Sequence, residues 1–479
     1  MTLDAYIHQT SPRRIFPPGE INAYSNYGAA LAGYIVQRVS GEPFETYIEQ
    51  HIFVPLDMRH ATFRQPLPAT LAPLLSSGYS VGSGPPEPYE FVAAAPAGSA
   101  TMSGADVARF MIEHLQAESG AGKGVLQRQT AIEMHGTPLT TVSPDLHRMM
   151  LGFFELDRNG RRIIGHGGDT AWFHSNLYLW PQEHAGLFVV VNSLGRGEAV
   201  NAFRTLLFEQ FADRYFPGPA LEGTMAAAIT RQHAALVAGP YAISRRVQTS
   251  FLSLENLLSQ GSVDADASGQ LSIPGLAALS GQVRKFREVA PFVWREVNGK
   301  NRLAAKVVGG RVVMVSEDEV SFAMTLLPPS SWQDSRWLLP LLLGSLAVLT
   351  LMTVTWAGAV ALRRFYGVPQ RLEGRTLRRH RWVRAACAAA LVLMASWLVT
   401  IIEVPSRSHF AALVVDPWVM TLHVLSIVVF PAAAGLAVWN SIVEKGRLAV
   451  LWGLCLSVSC LTLLWVALSF HLIGFSLRY

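Results

Sequence analysis

Tyr24, Ser25 and Asn26 stand in a row, just after the Pro-Gly turn of "FPPGEINA" and just before the apolar stretch "YGAALAGYIVQRVSG". Far downstream, "IIGHGGDT" sets His166 beside Gly167 and Gly168. A phenol and an imidazole can both handle protons, and an asparagine can hold an amide by two hydrogen bonds. Paired glycines let another backbone lie along a strand edge. Acyl transfer from a serine hydroxyl calls for such a set, because a base must take the hydroxyl proton. A free phenol titrates near ~10, so a tyrosine base needs positive charge beside it. An imidazole, with a reference value of ~6.5, can be neutral at pH 7 and then offers a hydrogen bond rather than a fixed charge. Each group also has a plain structural reading: Ser25 or Asn26 capping a helix, Gly167-Gly168 ending a strand. Taken one at a time, neither motif decides between the two.

The elements that would position these residues follow from periodicity. Leu31, Ile35, Val36 and Val39 mark one stripe of a helix after Asn26, and "GEPFETYIEQHIF" begins another with Pro43 at its start. Ser103 reads as the N-cap of a helix carrying Val107, Phe110, Met111 and Leu115. From Met150 the period changes to two: strands joined by Asn159-Gly160, then "FHSNLYLWP" and "GLFVVVNS", then an amphipathic helix over 199–214. Helices, an antiparallel meander and a closing helix predict an α+β domain over residues 1–216. Residues 236–328 hold short β-like runs with Asn298-Gly299 and Gly309-Gly310 turns, which predict a small barrel or sandwich. That segment shows no chemistry of its own and reads as a spacer or lid.

With their surroundings, the two motifs resemble a known pattern. The sequence is similar to the serine hydrolases that include class C β-lactamases, penicillin-binding proteins, D,D-peptidases and related esterases. The resemblance covers residues 1–216 and rests on "FPPGEINAYSNYGAALAGYIVQRVSGEPFETYIEQHIFVPLDM", "APAGSATMSGADVARFM" and "GHGGDTAWFHSNLYLWPQEHAGLFVVVNS". Members of this family carry Ser-x-x-Lys, then Tyr-x-Asn, then Lys-Thr-Gly or His-x-Gly on a strand. It implies a β-lactamase-like antiparallel sheet with flanking helices and an acyl-enzyme cleaving an amide or ester. Tyr24 would be the general base, Asn26 would orient the substrate amide, and His166 would stand where many members have lysine. Gly167 and Gly168 would receive the substrate along the strand, and the backbone N–H of Asp169 would be an oxyanion donor. The implied substrates are a D-amino peptide, a cell-wall fragment or a small ester, with no cofactor.

The first motif is not in this chain. None of the five lysines, Lys123, Lys285, Lys300, Lys306 and Lys445, has a serine three residues before it, so there is no nucleophile to assign. Ser25 reads as a cap, and Ser175 lies on a strand without a base. In the family the motif precedes Tyr-x-Asn, and "MTLDAYIHQTSPRR" lacks the basic and apolar regions of an export signal. Both features lead to the expectation of an N-terminally truncated sequence. A non-catalytic peptide-binding or sensing protein is the alternative. His166, His174 and His184 lack a metal-ligand spacing, so no metal site is expected.

The C-terminal part is of another kind. Four apolar runs, at about 337–362, 385–402, 417–439 and 448–470, are long enough to cross a hydrocarbon core of ~30 Å. Between Arg363 and Arg384 stand eight arginines against one acid, Glu373. That local +7 exceeds the net +5 of the whole chain, so the basic balance argues for a lipid bilayer and against nucleic acid. Short basic loops stay in the cytoplasm, which predicts a multi-pass protein of the bacterial inner membrane with its soluble part on the extracytoplasmic side. Cys387, Cys455 and Cys460 all fall in the apolar runs, so the soluble part has neither a disulfide nor a thiol nucleophile.

Overall fold

The computed structural model describes residues 2–136, 142–143, 145–277, 281–370, 372–403 and 412–477. The chain divides into two compact units, one of residues 1–239, 243–245 and 262–328, the other of residues 240–242, 246–261 and 329–479.

The first unit opens with α1 (Leu3–Gln9), α2 (Asn26–Ser40) and α3 (Phe44–Ile48). Ser25 Oγ accepts from the Gly28 N–H at 3.2 Å and caps α2, as its position predicted. Most of the predicted apolar stripe does not pack. Leu31, Ile35 and Val39 are 36%, 53% and 83% exposed, only Val36 is half-buried, and α2 seats mainly through Ala30 and Gly33. A Cβ on Gly33 would meet Pro96 Cγ at 2.7 Å. Close approach of the backbone, not side-chain size, therefore chooses which face turns inward.

α4 (Gly104–Ala117), capped by Ser103 as expected, and α5 (Arg128–Gly136) lead into a four-stranded antiparallel sheet. Its strands β1 (Phe154–Glu155), β2 (Ile164–Asp169), β3 (His174–Trp180) and β4 (Ala185–Val191) lie in sequence order. Asn159 and Gly160, at φ 59° and 69°, make the tight turn between β1 and β2. Ile163, Ile164, Leu179 and Trp180 are fully buried. α6 (Ala199–Tyr215) covers the sheet, with Phe208 stacked on Tyr178 at 4.2 Å and Phe211 against Trp180. The β1 ladder on β2 reaches only Gly165. From His166 to Asp169 that edge of β2 has no strand partner among the described residues.

After α7 (Ala227–Val237), strands β5 (Gly239–Ile243), β6 (Gly261–Ala265), β7 (Leu271–Ala277), β8 (Val283–Ala290), β9 (Val293–Glu296), β10 (Arg302–Val308), β11 (Arg311–Glu317) and β12 (Leu326–Leu327) close into an eight-stranded barrel, with the short α8 (Glu255–Leu258) between β5 and β6. Of the two forms the sequence left open, the barrel is the one adopted.

The second unit contains four long apolar helices: α9 (Ser335–Tyr366), α10 (Gly374–Glu403), α11 (Ala412–Val443) and α12 (Arg447–Ser469). Each is long and apolar enough to cross a membrane. Leu342, Leu349, Met394, Trp397, Phe430 and Leu463 form their shared core. Two indole groups of the bundle are paired between helices: Trp397 Nε1 donates to Ser426 Oγ and Trp418 Nε1 to Thr400 Oγ1, both at 2.9 Å.

Candidate active site

Tyr24, Asn26, His166, Gly167, Gly168 and Asp169 all line a single cleft of about 1750 Å³ in the first unit. The Tyr24 and His166 rings lie 5.9 Å apart between centroids. Phe154 of β1 joins them, stacked on His166 at 4.3 Å and edge-on to Tyr24 at 6.1 Å. Because Ser25 does the capping, Tyr24 and Asn26 are left to face the cleft from the mouth of α2.

Tyr24 is held from an unexpected direction. Its N–H donates to Ala323 O at 2.9 Å, and Ala23 forms a bridge with Met324. Asn22 Nδ2 donates to Ser321 O at 2.6 Å, and the Ser244 hydroxyl donates to Asn22 O. Phe322 stacks on Phe154 at 4.2 Å. The loop after β11 thus fixes the backbone beside the tyrosine. The β-rich segment, which the sequence reads as a spacer or a lid, lines part of the cleft wall.

His166 sits on β2 with Nδ1 2.6 Å from Gly167 O. A carbonyl only accepts, so Nδ1 carries the proton. Burial lowers the affinity of His166 for a second proton, and the bond to Gly167 only partly offsets this. The ring is therefore neutral around pH 7, and its free Nε2 is an acceptor. The sequence expectation was a donor; the difference arises because the strand's own carbonyl takes the one proton a neutral ring has. At Gly168, a Cβ would come within 3.0 Å of Ser175 Oγ on the neighbouring strand, so a side chain there would crowd β3.

Two further groups carry no motif. Asp169 Oδ1 accepts from Arg204 Nη2 at 2.6 Å and from His174 Nδ1 at 2.7 Å, while Arg204 Nη1 donates to Ser175 O at 2.9 Å. Arg204 and His174 are buried. Together they clamp the end of β2. An arginine among Phe203, Leu206 and Leu207 of the amphipathic helix α6 was the one signal available. Arg245 is the second group. Its guanidinium lies 5.2 Å from the Tyr24 ring centroid, exposed in the cleft, with no carboxylate partner among the described residues. The carboxylates in the same wall are engaged elsewhere: Asp318 by Arg302 at 2.8 Å, Glu319 by Arg284 and Asn301.

Residues 3–210 match the family model described as Beta-lactamase. This part of the chain is similar to the beta-lactamase family. The chain is similar to "Putative penicillin-binding protein PbpX" of Bacillus subtilis, 48% identical over 50 residues, which are 9% of this chain and 12% of that protein. It is similar to "Putative D-alanyl-D-alanine carboxypeptidase" of Escherichia coli K12, 38% identical over 48 residues, 10% of this chain and 11% of that one. Among solved structures it resembles the octameric penicillin-binding protein homologue from Pyrococcus abyssi, at 17% identity and a TM-score of 0.35, covering 66% of each chain. The matched stretches span only 9% to 12% of the curated relatives' length. The matched segment contains the α+β architecture around the cleft, and the barrel and the four apolar helices follow it in the chain.

Proposed function

We propose that this is a membrane-anchored hydrolase of the β-lactamase and penicillin-binding-protein type, acting on an amide or ester through an acyl-enzyme outside the cytoplasm. The observation that carries this reading is the convergence of Tyr24 and His166 on one cleft beside an open strand edge. In it, Tyr24 removes the proton of the attacking hydroxyl, with the fixed charge of Arg245 nearby. Asn26 holds the substrate amide, and the substrate backbone lies along Gly167-Gly168 as an added strand. The Asp169 N–H, fixed by the Arg204 and His174 clamp, receives the developing oxyanion. His166 accepts a hydrogen bond through Nε2. The substrate class is a D-amino peptide, a cell-wall fragment or a small ester. Basic loops on the cytoplasmic side of the bacterial inner membrane would leave the cleft extracytoplasmic.

A non-catalytic peptide receptor built on the same cleft is the second reading. Labelling separates the two. The protein isolated from its native membrane, treated with a fluorescent penicillin or a fluorophosphonate, should be acylated at a serine located by mass spectrometry. Tyr24→Phe should slow labelling by ~100-fold or more. Equal labelling of both forms would remove Tyr24 as the base. Peptide binding with no labelling of either would establish the receptor.

A further inference from the structure

The basic end of the helical bundle holds a cluster that the cleft does not use. Arg363 closes α9, Arg379, His380 and Arg384 lie in the first three turns of α10, and Glu444 follows α11. Arg379 Nη2 donates to Glu444 Oε1 at 3.1 Å, and Arg384 Nη1 donates to His380 Nδ1 at 2.7 Å. Arg363 acts electrostatically on both His380 and Arg384, and Glu444 acts on Arg384, so the ends of three helices share one patch of charge. Among the described residues of this patch, Glu444 bonds Arg379 and acts on Arg384, while Arg363 donates to Gln370. The Nε–H groups of Arg379 and Arg384 are buried with no hydrogen-bond partner among the described residues. The Arg379 side chain is only 14% exposed. Buried donors of a charged group are normally satisfied, because leaving them unpaired sacrifices their hydration.

The level of the cluster indicates the occupant. Phe365 and Tyr366 at the end of α9 and Trp382 in α10 are 82%, 70% and 67% exposed. Exposed aromatics at helix ends are the residues that rest at the headgroup region of a bilayer. A surplus of guanidinium at that depth, between helices, complements a phosphate whose acyl chains lie alongside the bundle.

We propose that Arg363, Arg379 and Arg384 form a binding pocket for the phosphate of an anionic phospholipid headgroup. This pocket is independent of the hydrolase reading. The test uses the full chain in vesicles of phosphatidylcholine and phosphatidylglycerol, with the lipids retained after detergent extraction counted by native mass spectrometry. The wild type should retain phosphatidylglycerol over phosphatidylcholine by ~10-fold, and Arg379→Gln with Arg384→Gln should abolish the preference. Arg375→Gln with Arg378→Gln, at exposed positions on the same turns, should keep it. Equal loss in both double variants would reduce the effect to general polybasic attraction and overturn the pocket. Displacement of the lipid by inorganic phosphate alone would overturn the lipid as its source. If the Arg379 and Arg384 variant fails to assemble, the wild-type competition still decides, since absence of a preference for the anionic lipid sinks the proposal.

Discussion

Tyr24 shows how far a side chain's chemistry depends on what its neighbours do. Ser25 takes the cap, which leaves the phenol free, and the loop around Ala323 holds the tyrosine backbone against the barrel. Arg245 then brings a fixed charge to a site where the histidine is kept neutral by burial. An unpaired guanidinium beside an open strand edge suits a ligand that ends in a carboxylate. Arg245→Gln should weaken binding of D-alanyl-D-alanine to the full chain in detergent by ~10-fold, read by tryptophan fluorescence, and leave its C-terminal amide unaffected. An equal loss for the amide would show that Arg245 supports the cleft only as a structural group. The Tyr-x-Asn and His-x-Gly motifs were visible in the sequence because their types and order are distinctive. Arg245 was not, because its partner Tyr24 is more than two hundred residues away and its local "AISRRVQT" carries no pattern.

At the level of elements, helices α4 and α5 are joined to the sheet by a buried chain of hydrogen bonds. Glu118 Oε1 accepts from Arg162 Nη2 and from His135 Nδ1, both at 2.7 Å. His135 Nε2 must then be the acceptor, and it takes the His114 Nδ1 proton at 3.0 Å. Phe153 packs against both imidazoles, and Phe110 against His114. Burial pushes both histidines below their ordinary range, His114 to about 4, with the neighbouring His135 adding to the effect. The sign follows from linkage. As pH falls through ~6.5 the unfolded chain binds protons that the folded chain refuses. Stability is therefore complete at neutral pH and lost progressively toward pH 4, with His114 accounting for up to about 3 kcal/mol. The unfolding midpoint of the full chain in detergent should drop between about pH 7 and about pH 5, and His114→Phe should flatten that dependence. A wild-type midpoint that does not move over this range would refute the mechanism. The helices themselves were legible from caps and periodicity. Their buried faces were less so, as α2 shows: a close approach at Gly33 overrides an apolar stripe, and hydropathy contains no information about backbone distance.

For the whole molecule, the distribution of arginines makes a separate prediction. If the linker between α9 and α10 stays in the cytoplasm, four crossings leave both the cleft and the C-terminus on the opposite side. Alkaline phosphatase fused after Tyr479 should then be active in cells, and a green fluorescent protein at the same point dark. The reverse pattern would invert the orientation and place the hydrolase reading in the wrong compartment. The first unit also behaves as one body across its two parts. Lys300 beside β9 reaches Asp213 Oδ1 at 3.0 Å and Gly218 O at 3.1 Å, and Arg158 Nη2 reaches Asp213 Oδ2 at 3.0 Å. Burial opposes ionisation of Asp213, but hydrogen bonds from Arg158, Asn159 and Lys300 outweigh it and hold the carboxyl well below its usual range. The barrel is therefore tied to the α+β part at the sheet side as well as beneath Tyr24.

The sequence by itself determined the class of each segment: the α+β domain with its two motifs, the β-rich piece, and four apolar helices flanked by arginine. Those features are local, set by period, capping residues, turn dipeptides and charge runs, each read within a few residues. Only the tertiary structure decided that the β-rich piece lines the cleft, that His166 Nδ1 donates its proton to Gly167 O, and that Arg204 and Arg245 stand beside the two motifs. Such facts depend on which distant groups share a surface and which carbonyl captures a proton, and contacts between residues far apart in the chain leave no periodic trace along it.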